Sequence, residues 1–229
     1  MPKWMSVIVA AVCIGRVQAA DPGSPAATSE APGGPLFIEN DQWEGLSDEP
    51  GRHMGQARES YLEIDARTAA AELRKAAAQL RLAASEVAAA SRNSLIRSAL
   101  ELEALARRTE EGTVKSVREF DVAFARASHA LARHHFIAAE RAWAARETQK
   151  AGQRLRAASD NLGKATVWSG RKLQAGTTEV IKDTRIISGK LIEGTGFMFD
   201  EIGRGMTSFG KQVEVVGHGI EPHAPPAPE

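Results

Sequence analysis

The residues best suited to chemistry are three histidines, His129, His134 and His135, which lie on one predicted helix. Imidazoles that bind one metal ion from one helical face are three or four residues apart, as in the His-Glu-x-x-His pattern. These three are separated by five, six and one residues, so their side chains are spread around the helix axis. No Glu-x-x-His pair is present to complete a carboxylate site in a bundle. We therefore expect packing, capping or solvation from these histidines and predict no metal site.

Glycine patterns near the C-terminus match nucleotide-binding motifs in part. Gly205–Gln212 resembles the phosphate-binding loop, but Gln212 stands where that motif needs a Ser or Thr hydroxyl to hold magnesium. The fragments Gly194–Gly196 and Gly203–Gly205 lack the third glycine of a dinucleotide fingerprint, and no predicted strand precedes them. The Gly-x-Ser-x-Gly sequence of serine hydrolases does not occur. The sequence therefore predicts no catalytic residue, no cofactor and no small-molecule substrate.

The N-terminus has the form of an export signal, residues 1–20. Lys3 precedes an apolar run from Trp4 to Ile14, and Val17–Ala19 supplies small residues at a cleavage spacing. The run is shorter than the roughly 20 residues that span a bilayer, so an uncleaved anchor is the weaker alternative. Cys13 is the only cysteine and leaves with the signal, which excludes disulfides and thiolate sites from the mature chain. We expect a periplasmic or secreted protein of the bacterial cell envelope.

Charge is distributed unevenly along a chain whose net formal charge is zero. Residues 21–56 are rich in Pro and Gly and carry seven acidic residues against Arg52 alone, which predicts a flexible acidic segment. Residues 57–168 carry nineteen Lys and Arg against fourteen Asp and Glu. No segment reaches the basic density of a nucleic-acid binder, so we expect no nucleic-acid partner. The proline-rich end, residues 218–229, is predicted to be a disordered tail.

The region between these ends has helical periodicity throughout. Apolar residues from Leu62 to Ala90 follow a 4-3 spacing in which large and small side chains alternate, as in a coiled-coil seam. No period-two alternation occurs in residues 57–168. The pattern predicts an all-α antiparallel bundle of about four helices over residues 57–170; a pair of longer hairpins that ignores the Ser91–Ser94 break is the alternative. The predicted helices begin near Ala57, Leu95, Val117 and Ala151 and end near Ala90, Glu110, Ala145 and Gly170.

Two stretches within the predicted bundle carry a likeness to known proteins. Residues 61–65 (Tyr-Leu-Glu-Ile-Asp), and residues 130–135 (Ala-Leu-Ala-Arg-His-His), resemble a loosely defined group of secreted, alanine-rich, helical bacterial proteins. The resemblance covers residues 57–168. It implies a helical fold and an exported protein, and it implies no particular activity.

The last predicted helical segment, residues 171–217, combines two repeats. Glycine recurs every seven residues, and apolar residues that recur every eleven form one broad face of a single amphipathic helix. Its glycines destabilise such a helix by about 5 kcal/mol relative to alanine, so a contact must offset that cost. The predicted interaction face comprises Ile187, Leu191, Met198, Ile202, Phe209 and Val213. The predicted close-packing glycines are Gly189, Gly196, Gly203 and Gly210.

These patterns predict a protein that acts through surfaces. The amphipathic segment of residues 171–217 is expected to pack against a partner helix, within the chain or in a second subunit, or to be a loosely helical or broken segment that folds back over the bundle. A membrane surface is the alternative partner, although the segment carries no excess of basic residues to attract anionic lipid. We expect a non-enzymatic interaction protein of the envelope. A periplasmic holdase-type chaperone is the second hypothesis, and a metal-binding bundle is the third.

Overall fold

A computed structural model describes residues 48–85, 89–170 and 175–220, all within one compact unit. The predicted signal peptide, most of the acidic segment and residues 221–229 of the predicted tail lie outside these ranges. The described residues are helical and contain no strand, which confirms the all-α prediction. None of these helices is both long enough and apolar enough to cross a membrane. The helices are α1 (Glu49–Leu62), α2 (Ala66–Ser85), α3 (Ala89–Glu110), α4 (Arg118–Ala144), α5 (Thr148–Ser169), α6 (Ala175–Glu193) and α7 (Phe199–Ile220).

Each helix packs on the next one in the sequence, and α7 returns to pack on α4 and α5. Alanine at the helix contacts allows close approach, and most of the buried residues of α2, α4 and α5 are alanines or leucines. Helices α5 and α6 are antiparallel. Ser159 of α5 donates to the carbonyl of Ile181, and Gly152, earlier in α5, lies against Ser188, later in α6. In the described chain, helices that are neighbours in the sequence are thus paired in space, and longer-range contacts join α7 to α4 and α5 and join α1 to α4.

Helix α4 belongs to two hydrophobic cores. Its first half places Phe120 and Phe124 in a cluster with α1, α2 and α3, where the two rings lie 5.8 Å apart. Its second half places Phe136 in a cluster with α5, α6 and α7, where Phe136 meets the ring of Phe209 at 5.5 Å. With 27 residues α4 is about 40 Å long, enough to serve both. The two cores are therefore joined through one continuous helix.

The first predicted helix is wrong in its extent. It was expected to run unbroken from Ala57 to Ala90, but α1 begins at Glu49 and ends at Leu62, and α2 begins at Ala66. At the break, Asp65 accepts hydrogen bonds from the backbone N–H and the hydroxyl of Thr68, at 3.0 and 2.6 Å. Such side-chain caps compete with helix continuation. The periodic apolar pattern that predicted one helix therefore continues through two separate helices.

Two further predicted boundaries are also displaced. The Ser91–Ser94 cluster was expected to end a helix, but it lies inside α3, where the Ser94 hydroxyl donates to the carbonyl of Ser91. The C-terminal segment was expected to be an amphipathic helix, with a broken segment that folds back over the bundle as the alternative, and it is interrupted between Glu193 and Phe199. Gly194 and Gly196 have φ angles of 72° and 70°, in the left-handed region that glycine adopts without strain. One glycine of the heptad repeat, Gly196, is thus a turn residue.

The turn between α1 and α2 gives a prediction about stability. Ile64 has φ 63° and is 91 % exposed. Its backbone is therefore strained, and its side chain gains no stabilisation from burial. We expect Ile64→Gly to raise the free energy of unfolding by about 1 kcal/mol, measured by urea denaturation and circular dichroism. Ile64→Ala keeps the Cβ that causes the strain and is the control. Equal stability of the two variants would contradict this account.

Candidate functional site

The predicted interaction face lies mostly inside the protein. Ile187, Leu191, Ile202, Phe209 and Val213 are buried, and they form the second core together with α4 and α5. Met198 alone is exposed, in the turn between α6 and α7. The amphipathic face is therefore covered by the chain's own helices. The packing surface is α4 and α5.

The predicted close-packing glycines have different environments. A Cβ on Gly210 would lie 2.9 Å from the Phe136 ring, so this glycine permits close contact. A Cβ on Gly189, Gly196 or Gly203 would meet no atom within 4 Å in the described structure. Contact of those three with another molecule stays a prediction. The repeat alone does not distinguish packed glycines from open ones.

Three other glycines make the close contacts that the sequence reasoning missed. A Cβ on Gly152 would lie 2.8 Å from the carbonyl oxygen of Ser188, and one on Gly205 would strike the end of Ile187. A Cβ on Gly217 would lie 2.6 Å from the ring of His129. That ring reaches α7 and its Nε2–H donates to the Val213 carbonyl at 2.9 Å. Gly217 therefore allows a histidine of α4 to bind the backbone of α7.

His134 and His135 are also structural in this arrangement. Both are buried, with ring centroids 4.8 Å apart, and Arg154 approaches His135 Nδ1 at 3.5 Å. Burial, reinforced by Arg154 and Arg141, lowers the pKa of His134 to about 4. Burial, with the neighbouring His134 and Arg154, lowers the pKa of His135 well below its usual value. Both imidazoles are therefore neutral at pH 7.

A second cluster of titratable groups joins α1 to α2. His53 Nδ1 lies 2.6 Å from Glu72 Oε2, and the ammonium of Lys75 lies 2.6 Å from the other carboxylate oxygen. Burial acts to raise the pKa of Glu72, but hydrogen bonds from Lys75 and His53 outweigh it and the pKa is lowered. No group of three potential metal ligands comes together among residues 48–85, 89–170 and 175–220. The cluster links the two helices by the His53–Glu72 hydrogen bond and contains an ion pair, Lys75–Glu72, within α2.

A concave groove of about 880 Å³ runs along α5 and α6. Its apolar lining includes Val167 and Ile186, which are 68 % and 53 % exposed. Ile181, Ile192 and Trp168 extend this lining. Exposed apolar groups gathered in a concavity favour binding of another apolar surface, since isolated surface residues would not present a continuous contact.

Charged residues line the same groove. Its basic residues outnumber its acidic ones, with Asp160 bound to Arg185 at 2.7 Å and Asp48 bound to Lys164. Burial lowers the pKa of Lys164. The groove therefore combines apolar contact area with a net positive charge. Its cations are Arg156, Lys164, Lys182 and Arg185, and its acids are Asp48 and Asp160.

The α5–α6 groove was not identified from the sequence. Arg156, Asp160 and Lys164 recur every four residues on α5, which marks one charged helical face. The same pattern is typical of an ordinary solvated face. The apolar Val167 beyond those charged residues is the additional signal. It indicates a binding surface only because Ile186 of α6 lines the same groove.

Comparison of the chain with protein-family models, with curated proteins and with solved structures gave no match.

The buried histidine pair predicts a dependence of stability on pH. Because the pKa of His134 is lowered on folding, the unfolded chain binds more protons between pH 6.5 and 4, and stability falls as the pH falls through that range. Between pH 7 and 5 we expect His134 to account for a loss of about 2 kcal/mol in the free energy of unfolding. Urea titrations at a series of pH values measure it.

The matched comparison is between two substitutions of the same type. His134→Gln removes one of the two buried imidazoles and is expected to reduce the pH dependence by the share of His134, whatever its effect on stability at pH 7, while the share of His135 remains. His218→Gln alters an exposed histidine near the end of α7 and is expected to leave the slope unchanged. Identical slopes in the two variants would show that His134 is not responsible.

Proposed function

We propose that this protein is a non-enzymatic helical interaction protein of the bacterial cell envelope, exported by residues 1–20. Its binding surface is the α5–α6 groove, and its partner is a protein segment that carries both apolar and acidic residues. The observation that carries the proposal is the combination, in one open groove, of exposed apolar side chains and a net positive lining. The helices around it act as a scaffold.

The proposal assigns affinity and selectivity to different residues of the groove. Val167 and Ile186 would lose their exposure on binding, and full burial of such a side chain contributes about 1.5–3 kcal/mol. The cations at the rim would favour acidic partners and speed their encounter, while basic partners are repelled. A protein segment fits this division better than a lipid surface, because the apolar residues lie in a groove between two helices.

The scaffold in this proposal is antiparallel. We infer that α2 to α5 correspond to the four-helix bundle predicted from the sequence, with α1 packed on α2 and α4, α6 packed on α5, and α7 packed on α4 and α5. Ion pairs support opposite directions for α2 and α3, since Arg74 binds Glu110 while Arg81 binds Glu103. The long shared α4 then holds the groove-bearing half against the rest.

The test uses a photo-crosslinking amino acid in place of Ile186, in cells that export the full chain. We expect defined crosslinked products with a protein, and an at least tenfold decrease when Val167→Asp is introduced, since a buried carboxylate is strongly unfavourable. A crosslinker in place of Leu82, an exposed leucine of α2, is the control position. Sedimentation and liposome flotation distinguish the alternatives of self-association and lipid binding. A monomer that ignores lipid and crosslinks equally from both positions would contradict the proposal.

A holdase-type chaperone is the second candidate, supported by the helix that covers the second core. Helix α7 buries Ile202, Phe209 and Val213, yet it contains glycines that weaken it. Partial release of α7 would expose an apolar surface to unfolded clients. Such a chaperone is expected to suppress aggregation of a reduced, unfolded client at substoichiometric amounts, measured by light scattering. Client aggregation that is the same with and without the protein would exclude it.

A further inference from the structure

We propose that the α5–α6 groove is occupied in the unbound protein by the chain's own acidic segment, residues 38–47, which a partner must displace. This inference rests on the proposed function of the groove as a binding surface. It makes the segment before α1 an internal competitor for that surface.

The position at which α1 begins supports this occupant. Asp48 directly precedes α1, lines the groove and binds Lys164 of α5. Residues 38–47 therefore join the described structure at the groove itself. The groove follows α5 from Lys164 to Gln153, a distance of about 16 Å along the helix. Ten residues reach about 15 Å as a helix and about 33 Å when extended, so the segment is long enough in either form.

The composition of the segment complements the groove. Residues 38–47 contain Glu39, Asp41 and Glu44 and no basic residue, whereas the groove has more cations than acids. Trp43 and Leu46 supply apolar side chains that match the exposed lining. A tethered segment also has an effective concentration in the millimolar range, so a weak contact is enough to fill the groove. Residues 38–47 thus match the groove in charge and in apolar content, and they are attached to the chain beside it.

The test is disulfide trapping in the full chain. Cys13→Ser removes the only native thiol, and Trp43→Cys with Ile186→Cys places one thiol in the segment and one in the groove. Under mild oxidation at micromolar concentration, we expect rapid formation of an intramolecular crosslink. The rate is followed by non-reducing electrophoresis.

The matched control keeps both cysteines and the tether length and changes only the charge of the segment. Glu39→Lys, Asp41→Lys and Glu44→Lys together are expected to slow the crosslink by about tenfold, because the attraction between an acidic segment and a net positive groove becomes repulsion. Equal rates with and without these substitutions would overturn the proposal. Crosslinked dimers in place of monomers would also overturn it, since the groove would then hold the segment of a second copy.

The partner crosslink and the internal disulfide test the proposed function and the internal competitor separately. Suppose that position 186 crosslinks to a partner protein but no charge-dependent internal disulfide forms. The groove then binds partners without this internal competitor. A rapid charge-dependent disulfide without any partner crosslink supports an internal contact and counts against the proposed function. If both hold, the three lysine substitutions are expected to raise the yield of partner crosslinks, because the competitor is weakened.

Discussion

The structure depends on the burial of both halves of α4 in two different cores. Phe120 and Phe124 are fully buried in the first core, and Phe136 joins the second. The first core is built largely from alanine and leucine, and the second adds isoleucine, methionine, valine and phenylalanine to them. A continuous helix is stiff because of its backbone hydrogen bonds, so its two halves keep a fixed orientation relative to each other. Each core therefore orients the other, and the groove-bearing α5 and α6 are held through the second.

Small residues determine how closely the helices of the second core approach. Gly152 lets the backbone of α6 lie against α5, and Gly217 lets the His129 ring reach the carbonyl of Val213. These contacts offset the low helix propensity of the glycine-bearing α7, whose apolar face covers the core. The aromatic group of Trp143, Phe197 and Phe199 packs at the turn between α6 and α7, with Trp143 and Phe199 5.2 Å apart. Packing thereby holds a weak helix in place.

The α5–α6 groove arises from the same packing. Charged residues at four-residue intervals on α5 are unremarkable by themselves, and Ile186 of α6 reads as one more residue of an amphipathic helix. The register set by Gly152 brings the two faces side by side, so that apolar and basic groups line one concavity. Helix α5 carries four basic residues against one acidic residue, whereas α6 carries three of each. The site could not be found residue by residue, because the concavity depends on which faces of the two helices meet.

The sequence by itself determined the all-α class, because hydrophobic periodicity is a local property of each segment. It also indicated that the apolar residues of the last segment need a covering surface. Boundaries such as Asp65 and Gly194 depend on caps and backbone angles that compete with the periodicity, so only the tertiary structure decided them. The structure also decided that Phe209 faces inward and that Val167 and Ile186 face solvent. Such choices depend on which helices become neighbours, and a one-dimensional pattern does not contain that information.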